Sequence, residues 1–247
     1  MIKRILFAVT TISAVAFAVI PPASQSQTTK VEEDISETNS TQKITWDKLE
    51  ASAAPAAAAI NASLRASLVE SACGASEEPD RSYDYDASAT AIEINENYVA
   101  YQITASSYCG GAHPNYGTYH ETYDAKSGEK LDMGMEVPMQ NYDGDVDWAA
   151  REKYQQELAE IMFREAKASN STALKDTECF EDMSDADVIQ QIKDFWPSIS
   201  GLGPDKKVIT SISPPHVATP CQFDLPVSLS SVEKFLAPNS KIKTLLK

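Results

Sequence analysis

Signatures of the commonest enzyme chemistries are missing from this chain. It has no G-x-S-x-G nucleophile elbow, no H-E-x-x-H pair, no phosphate-cradling P-loop and no dinucleotide fingerprint. These absences weaken an enzymatic reading and leave no motif that demands a cofactor. Histidine is scarce, with only His113, His120 and His216. Cysteine numbers four, and none stands in a C-x-x-C pair, which argues against a zinc site. Basic residues are few, 21 Lys and Arg against 36 Asp and Glu, and the formal charge of −15 repels nucleic acid and anionic lipid. The same field favours basic partners through steering. Beyond the N-terminus no run is long and apolar enough to span a bilayer.

What is present begins with an export signal. Residues 1–26 carry a basic start (Lys3, Arg4), an apolar stretch over 5–20 and small or polar residues after it, the layout of a cleaved signal peptide. Cleavage is expected near Ser24 or Ser26, and no cysteine follows the apolar stretch to hold a lipid. Removing Lys3 and Arg4 takes the charge from −15 to −17. A periplasmic or secreted location is oxidising, so Cys73, Cys109, Cys179 and Cys221 are expected in two disulfides. Three connectivities are possible; the pairing preferred here joins consecutive cysteines, Cys73 to Cys109 and Cys179 to Cys221.

Residues 27–45 are rich in Ser, Thr, Gln and Glu without periodicity and read as a disordered linker, which leaves 46–247 as one domain. Ile60, Leu64 and Leu68 recur at four-residue spacing after Pro55 and predict a helix that ends near Cys73. Alternation about Ile92 and Ile94, a turn at 95–97 and alternation from Val99 to Ala105 predict an antiparallel hairpin. A third strand over 118–123 leads into a turn with Gly128 at a left-handed position. Tyr154, Leu158, Ile161 and Met162 mark an amphipathic helix capped by Asp147, and Ser184 opens a second helix stopped by Pro197. Strands follow over 208–213 and 222–227, then a short helix opening at Ser230. The fold class is therefore α+β, an antiparallel sheet with helices packed on one face, stapled by two disulfides.

Between the second and third of these strands lies the densest stretch in the chain, Ser106-Ser107-Tyr108-Cys109-Gly110-Gly111-Ala112-His113-Pro114-Asn115-Tyr116. Paired glycines permit positive φ, and Pro-Asn supplies a second bend, so the backbone here is shaped. Tyr108, Gly110, Gly111, His113, Asn115 and Tyr116 are the candidate binding residues. The Gly-Gly-Ala-His-Pro-Asn string, the 123–131 turn and the ending Phe223-Asp224-Leu225-Pro226-Val227 together resemble an exported domain family. Its members include the extracytoplasmic domain of the anti-sigma factor RsiV and the non-catalytic part of the peptidoglycan deacetylase PdaC. The resemblance covers about residues 56–238 and implies an α+β fold and a sensor-like or binding role, with lysozyme or peptidoglycan fragments as partners. Neither a sigma-binding region nor a deacetylase domain is expected beside it. The runner-up is therefore an enzyme, or its accessory subunit, acting on peptidoglycan.

Two chemical alternatives are weighed against this reading. Cys109 and His113 could form a nucleophile pair, but a disulfide at Cys109 removes the thiolate that such catalysis needs. Asn141, Asp143, Asp145 and Asp147 alternate like the start of a calcium loop, yet Val146 stands where that loop needs glycine, so no metal is expected. The eight tyrosines between Tyr83 and Tyr123 are expected to be at least half core, and His120 is expected to be exposed.

Overall fold

The computed structural model describes residues 27–36, 40–73, 83–110, 113–140, 147–169, 171, 174, 179–214 and 221–247. Two sheets organise them. Strands β1 (Thr28–Asp34), β2 (Ser40–Leu49), β3 (Tyr83–Ile94), β4 (Tyr98–Tyr108) and β5 (Asn115–Asp124) lie in that order across a five-stranded sheet. Strands β6 (Ser198–Gly203), β7 (Lys207–Ser211) and β8 (Asp224–Val227) form a second sheet. The α-helices are α1 (Ala57–Glu70), α2 (Met133–Glu136), α3 (Trp148–Ala168), α4 (Asp185–Asp194), α5 (Leu229–Val232) and α6 (Ile242–Leu245). The class is α+β, and both disulfides join consecutive cysteines, Cys73 to Cys109 and Cys179 to Cys221.

Alternation along β4 divides the interior into two cores. Val99, Tyr101 and Ile103 point to one face, where Ile60, Leu64 and Leu68 of α1 are fully buried against them. Burial of each such side chain is worth about 1.5–3 kcal/mol, enough to fix the face that α1 presents. Tyr98 and Ala100 point to the other face and join a core built from α3, α4 and the three-stranded sheet. The helices therefore divide between two cores instead of sharing one face of one sheet.

Residues 27–45 are not a disordered linker. β1 pairs antiparallel with β2, setting Val31 opposite Trp46 and Glu33 opposite Ile44, and β2 then pairs parallel with β3. The physical reason is the alternation of Gln42, Ile44 and Trp46, all buried, with Lys43 and Thr45 on the opposite face. That pattern gives a strand with one core face despite its polar composition. Because parallel neighbours need a long crossover, α1 is the connection between β2 and β3, and the sheet is mixed where antiparallel pairing throughout was expected.

The second sheet is pinned across β4 and β5. Tyr98 Oη donates to the Gly203 carbonyl at 2.8 Å, and the Leu202 amide donates to Thr122 Oγ1 at 2.9 Å. Burial pushes the Tyr98 phenol up to about 12, so it stays protonated as a donor. A Cβ on Gly201 would lie 3.0 Å from Thr122 Oγ1, which is why the strand carries glycine there. At the outer edge of β5, the Gln222 side chain accepts from the Thr118 amide at 3.2 Å and donates to the Thr118 carbonyl. One side-chain amide thus closes part of a strand edge that would otherwise be open to pairing. No described helix is long and apolar enough to cross a membrane.

Candidate functional site

The second sheet covers β4 and β5 but leaves the neighbouring face of β1, β2 and β3 to solvent among the described residues. Register places Asp34 beside Lys43, Lys43 beside Asp86, and Asp84 beside Tyr108, all on the face opposite α1. Asp34, Asp84 and Asp86 are exposed. Glu32 on the same face holds Lys43 Nζ at 2.8 Å. That hydrogen bond, with the charges of Asp86 and Asp34, raises the Lys43 ammonium above its ordinary value. Four carboxylates, Glu32, Asp34, Asp84 and Asp86, thus outnumber Lys30 and Lys43 on an otherwise hydroxyl-bearing surface.

The proposed binding string borders this face. Tyr108 ends β4 half-buried, and Gly110 has a φ of 83°, the left-handed conformation expected of it. His113 is exposed, while Asn115 and Tyr116 open β5 opposite Ser107 and Ser106. Tyr116 is 58% exposed. Gly111 lies outside the described residues. A cavity of about 390 Å³ lined by Lys43, Asp84, Asp86, Ser106, Tyr108 and Pro114 joins the end of the string to the acidic face. The structure therefore brings Tyr108 next to aspartates that sequence reasoning did not connect with it. Their signal was the exposed alternation in Tyr83-Asp84-Tyr85-Asp86, legible only once Tyr85 is known to be buried.

Four of the eight tyrosines, Tyr85, Tyr98, Tyr101 and Tyr123, are buried. Cys109 is disulfide-bonded and carries no thiol for a Cys-His pair. Residues 141–146 lie outside the described residues. Asp147 caps α3 by accepting from the Ala150 amide at 3.0 Å, and Glu152 pairs with Lys193 at 3.1 Å. Among the described residues no cluster of three His, Cys, Asp or Glu could hold a metal. Asn61, which begins a glycosylation sequon, uses its side-chain amide to bond both the amide and carbonyl of Leu49.

His120 is a correction, since its side chain is only 2% exposed. Its Nε2 lies 3.5 Å from Asp224 Oδ2 and its Nδ1 lies 3.4 Å from Ser200 Oγ. Ser200 Oγ also lies 2.7 Å from Ser211 Oγ, and Ser211 donates to Asp224 Oδ1 at 2.5 Å. Burial holds the imidazole below its ordinary value, with Asp224 pulling it partly back. The residue types are those of a hydrolytic triad, but the closed imidazole offers no room for a substrate. The cluster fastens the two sheets together.

A further cavity of about 780 Å³ lies between α3 and α4, with Trp148 and Trp196 in its wall. No described residue of the sequence-derived site lines it.

These features define a disulfide-stapled, two-sheet α+β domain with an acidic sheet face that is open among the described residues. No family model matches the chain, and no curated protein matches it. Solved structures similar to it include two DUF3298 family proteins. One, from Pseudomonas aeruginosa PAO1, is 18% identical, with 86% of this chain and 94% of that chain covered and a TM-score of 0.40. Another, from Bacteroides fragilis, is 15% identical, with 89% and 96% covered and a TM-score of 0.38.

Proposed function

We propose that the protein is a periplasmic or secreted, non-catalytic binding module that recognises a basic protein of the lysozyme kind at the cell envelope. The observation that carries this is the uncovered sheet face, where Glu32, Asp34, Asp84 and Asp86 form an acidic field bordered by Tyr108 and Tyr116. A rigid sheet loses little entropy on docking, and tyrosine supplies contact area with a polar tip. Two disulfides suit an oxidising compartment. The disulfide at Cys109 and the closed His120 cluster favour binding over catalysis.

The test is association with lysozyme measured by surface plasmon resonance at rising salt. Steering by this face predicts that the combined change Asp34→Asn, Asp84→Asn and Asp86→Asn slows association about tenfold at low salt and alters dissociation little. The pair His113→Ala and Asn115→Ala should weaken binding without lowering the melting temperature, because exposed changes usually cost within about 0.5 kcal/mol. If the parent binds no lysozyme at low salt, or the charge variant associates as fast as the parent, the reading fails.

A further inference from the structure

The cavity between α3 and α4 has an unusual lining. On α3 it takes Trp148, Arg151, Glu152 and Gln155, spaced as one helical stripe, and from α4 and its end it takes Gln190, Lys193, Asp194 and Trp196. This stripe adjoins the core stripe of Tyr154, Leu158, Ile161 and Met162 at Arg151, which is itself buried, while Trp148 lies on the solvent side. Trp148 is 68% exposed and Trp196 56% exposed, so two of the chain's three tryptophans stand in water at one cavity. Burial would stabilise the fold, and leaving such rings out marks a surface kept for a ligand.

Trp196 adds a second observation. Its φ is 51°, the left-handed region, immediately after the C-cap residue Phe195 of α4. Glycine or asparagine is usual there because a larger side chain strains the backbone. The turn itself is made by the Trp196 amide donating to the Lys193 carbonyl at 3.1 Å, which glycine would do as well. The turn itself does not call for an indole, and the ring is presented to the cavity.

The electrostatics narrow the occupant. Lys193 is paired with Glu152 at 3.1 Å, Gln190 donates to Asp194 at 2.8 Å, and the Arg151 guanidinium lies 6.0 Å from the Trp148 ring centroid. Two cations and two carboxylates balance, which suits a neutral ligand. The volume falls within the range of about 300–1,000 Å³ common to small-ligand sites. Pyranose rings with equatorial substituents present faces of C–H bonds, which the negative face of an indole attracts. Their hydroxyls both donate and accept, matching amides and carboxylates together. A proline-rich peptide also packs on indoles but offers chiefly carbonyl acceptors, and so has few donors for the second carboxylate oxygens of Glu152 and Asp194.

We propose that this groove binds a neutral, β-linked glycan, its rings stacked on Trp148 and Trp196 and its hydroxyls held by Gln155, Gln190, Glu152 and Asp194. The site is distinct from the acidic sheet face, so either proposal can fail while the other stands.

The experiment titrates the whole disulfide-bonded protein with cellotetraose and with tetra-N-acetylchitotetraose, followed by calorimetry and tryptophan emission. Saturable binding of at least one is expected, with Trp148→Ala and Trp196→Ala each weakening it at least about fivefold, the loss typical of a modest aromatic anchor. Trp196→Gly should lose the same affinity while melting no lower than the parent, since it removes the strained side chain. Should an alanine variant melt several degrees lower, the pair Gln155→Ala and Gln190→Ala takes its place, with the same loss expected. The proposal is overturned if the parent binds neither tetrasaccharide at millimolar concentration, binds a proline-rich peptide in their stead, or binds equally well in the variants.

Discussion

His120 and Gly128 show how far single residues reach in this fold. The unfolded chain takes up a proton on His120 near the ordinary value of 6.5, whereas the buried ring resists it until lower pH. Below 6.5 the unfolded state therefore binds more protons, and stability falls as pH drops from there toward the folded value. The slope from one such group is at most about 1.4 kcal/mol per pH unit. Urea unfolding at pH 7.5, 6.0 and 5.0 should show this loss in the parent and a shallower one in His120→Gln. Gly128 sits at φ 77°, and an added Cβ would lie 2.8 Å from Ala59 Cβ and 3.2 Å from Ala56 Cβ. Gly128→Ala should lower stability by about 1–3 kcal/mol in the same assay, because it combines backbone strain with a clash against α1. The glycine was legible from the Asp-x-x-x-Gly turn. The burial of His120 was not, because its partners Ser200 and Asp224 lie far along the chain and its own strand neighbours are polar.

At the scale of elements, periodicity succeeded wherever apolar residues were dense. The helix through Ile60, Leu64 and Leu68, the hairpin of β3 and β4, the Asp147 cap and the Ser184 cap all stand where their spacing put them. It failed where composition outweighed pattern. β1 has a single strongly apolar residue, Val31, and β2 shows Ile44, Trp46 and the terminal Leu49 among polar neighbours, yet the alternation of Ile44 and Trp46 was the real signal. β6 escaped because Gly201 and Gly203 dilute its Ile199 and Leu202. A chain starting at residue 46 tests the point directly. It lacks β1 and most of β2, bares the long edge of β3 and removes Ile44 from the α1 core. Such a chain should be recovered mainly as aggregate, or melt at least several degrees lower in calorimetry, while a chain starting at residue 27 should match the parent.

For the whole molecule, each disulfide serves a different part of the interior. Cys73 is buried in the α1 core, and Cys179 and Cys221 pack with the core of α3 and the second sheet. The bridged residues are 36 and 42 positions apart. Loops of this size contribute about 3–4 kcal/mol each to stability. The double changes Cys73→Ser with Cys109→Ser, and Cys179→Ser with Cys221→Ser, should each lower the denaturation free energy by about 2–5 kcal/mol. The expected location of the candidate site was legible only as a bend-rich string; the acidic face beside it arises from the carboxylates of β1 and β3, which β2 brings together, and the composition concealed β1 and β2.

The sequential order of strands and cysteines also bears on how the chain is made. All five strands of the first sheet, α1 and the first disulfide lie before residue 125, ahead of both remaining cysteines. A polypeptide emerging N-terminus first offers Cys73 and Cys109 to an oxidase when no wrong partner exists, and Cys179 and Cys221 only after that pair is closed. Oxidation in order of appearance yields the native bridges in a single pass. Folding yield should thus depend on a thiol oxidase and be indifferent to a disulfide-shuffling isomerase.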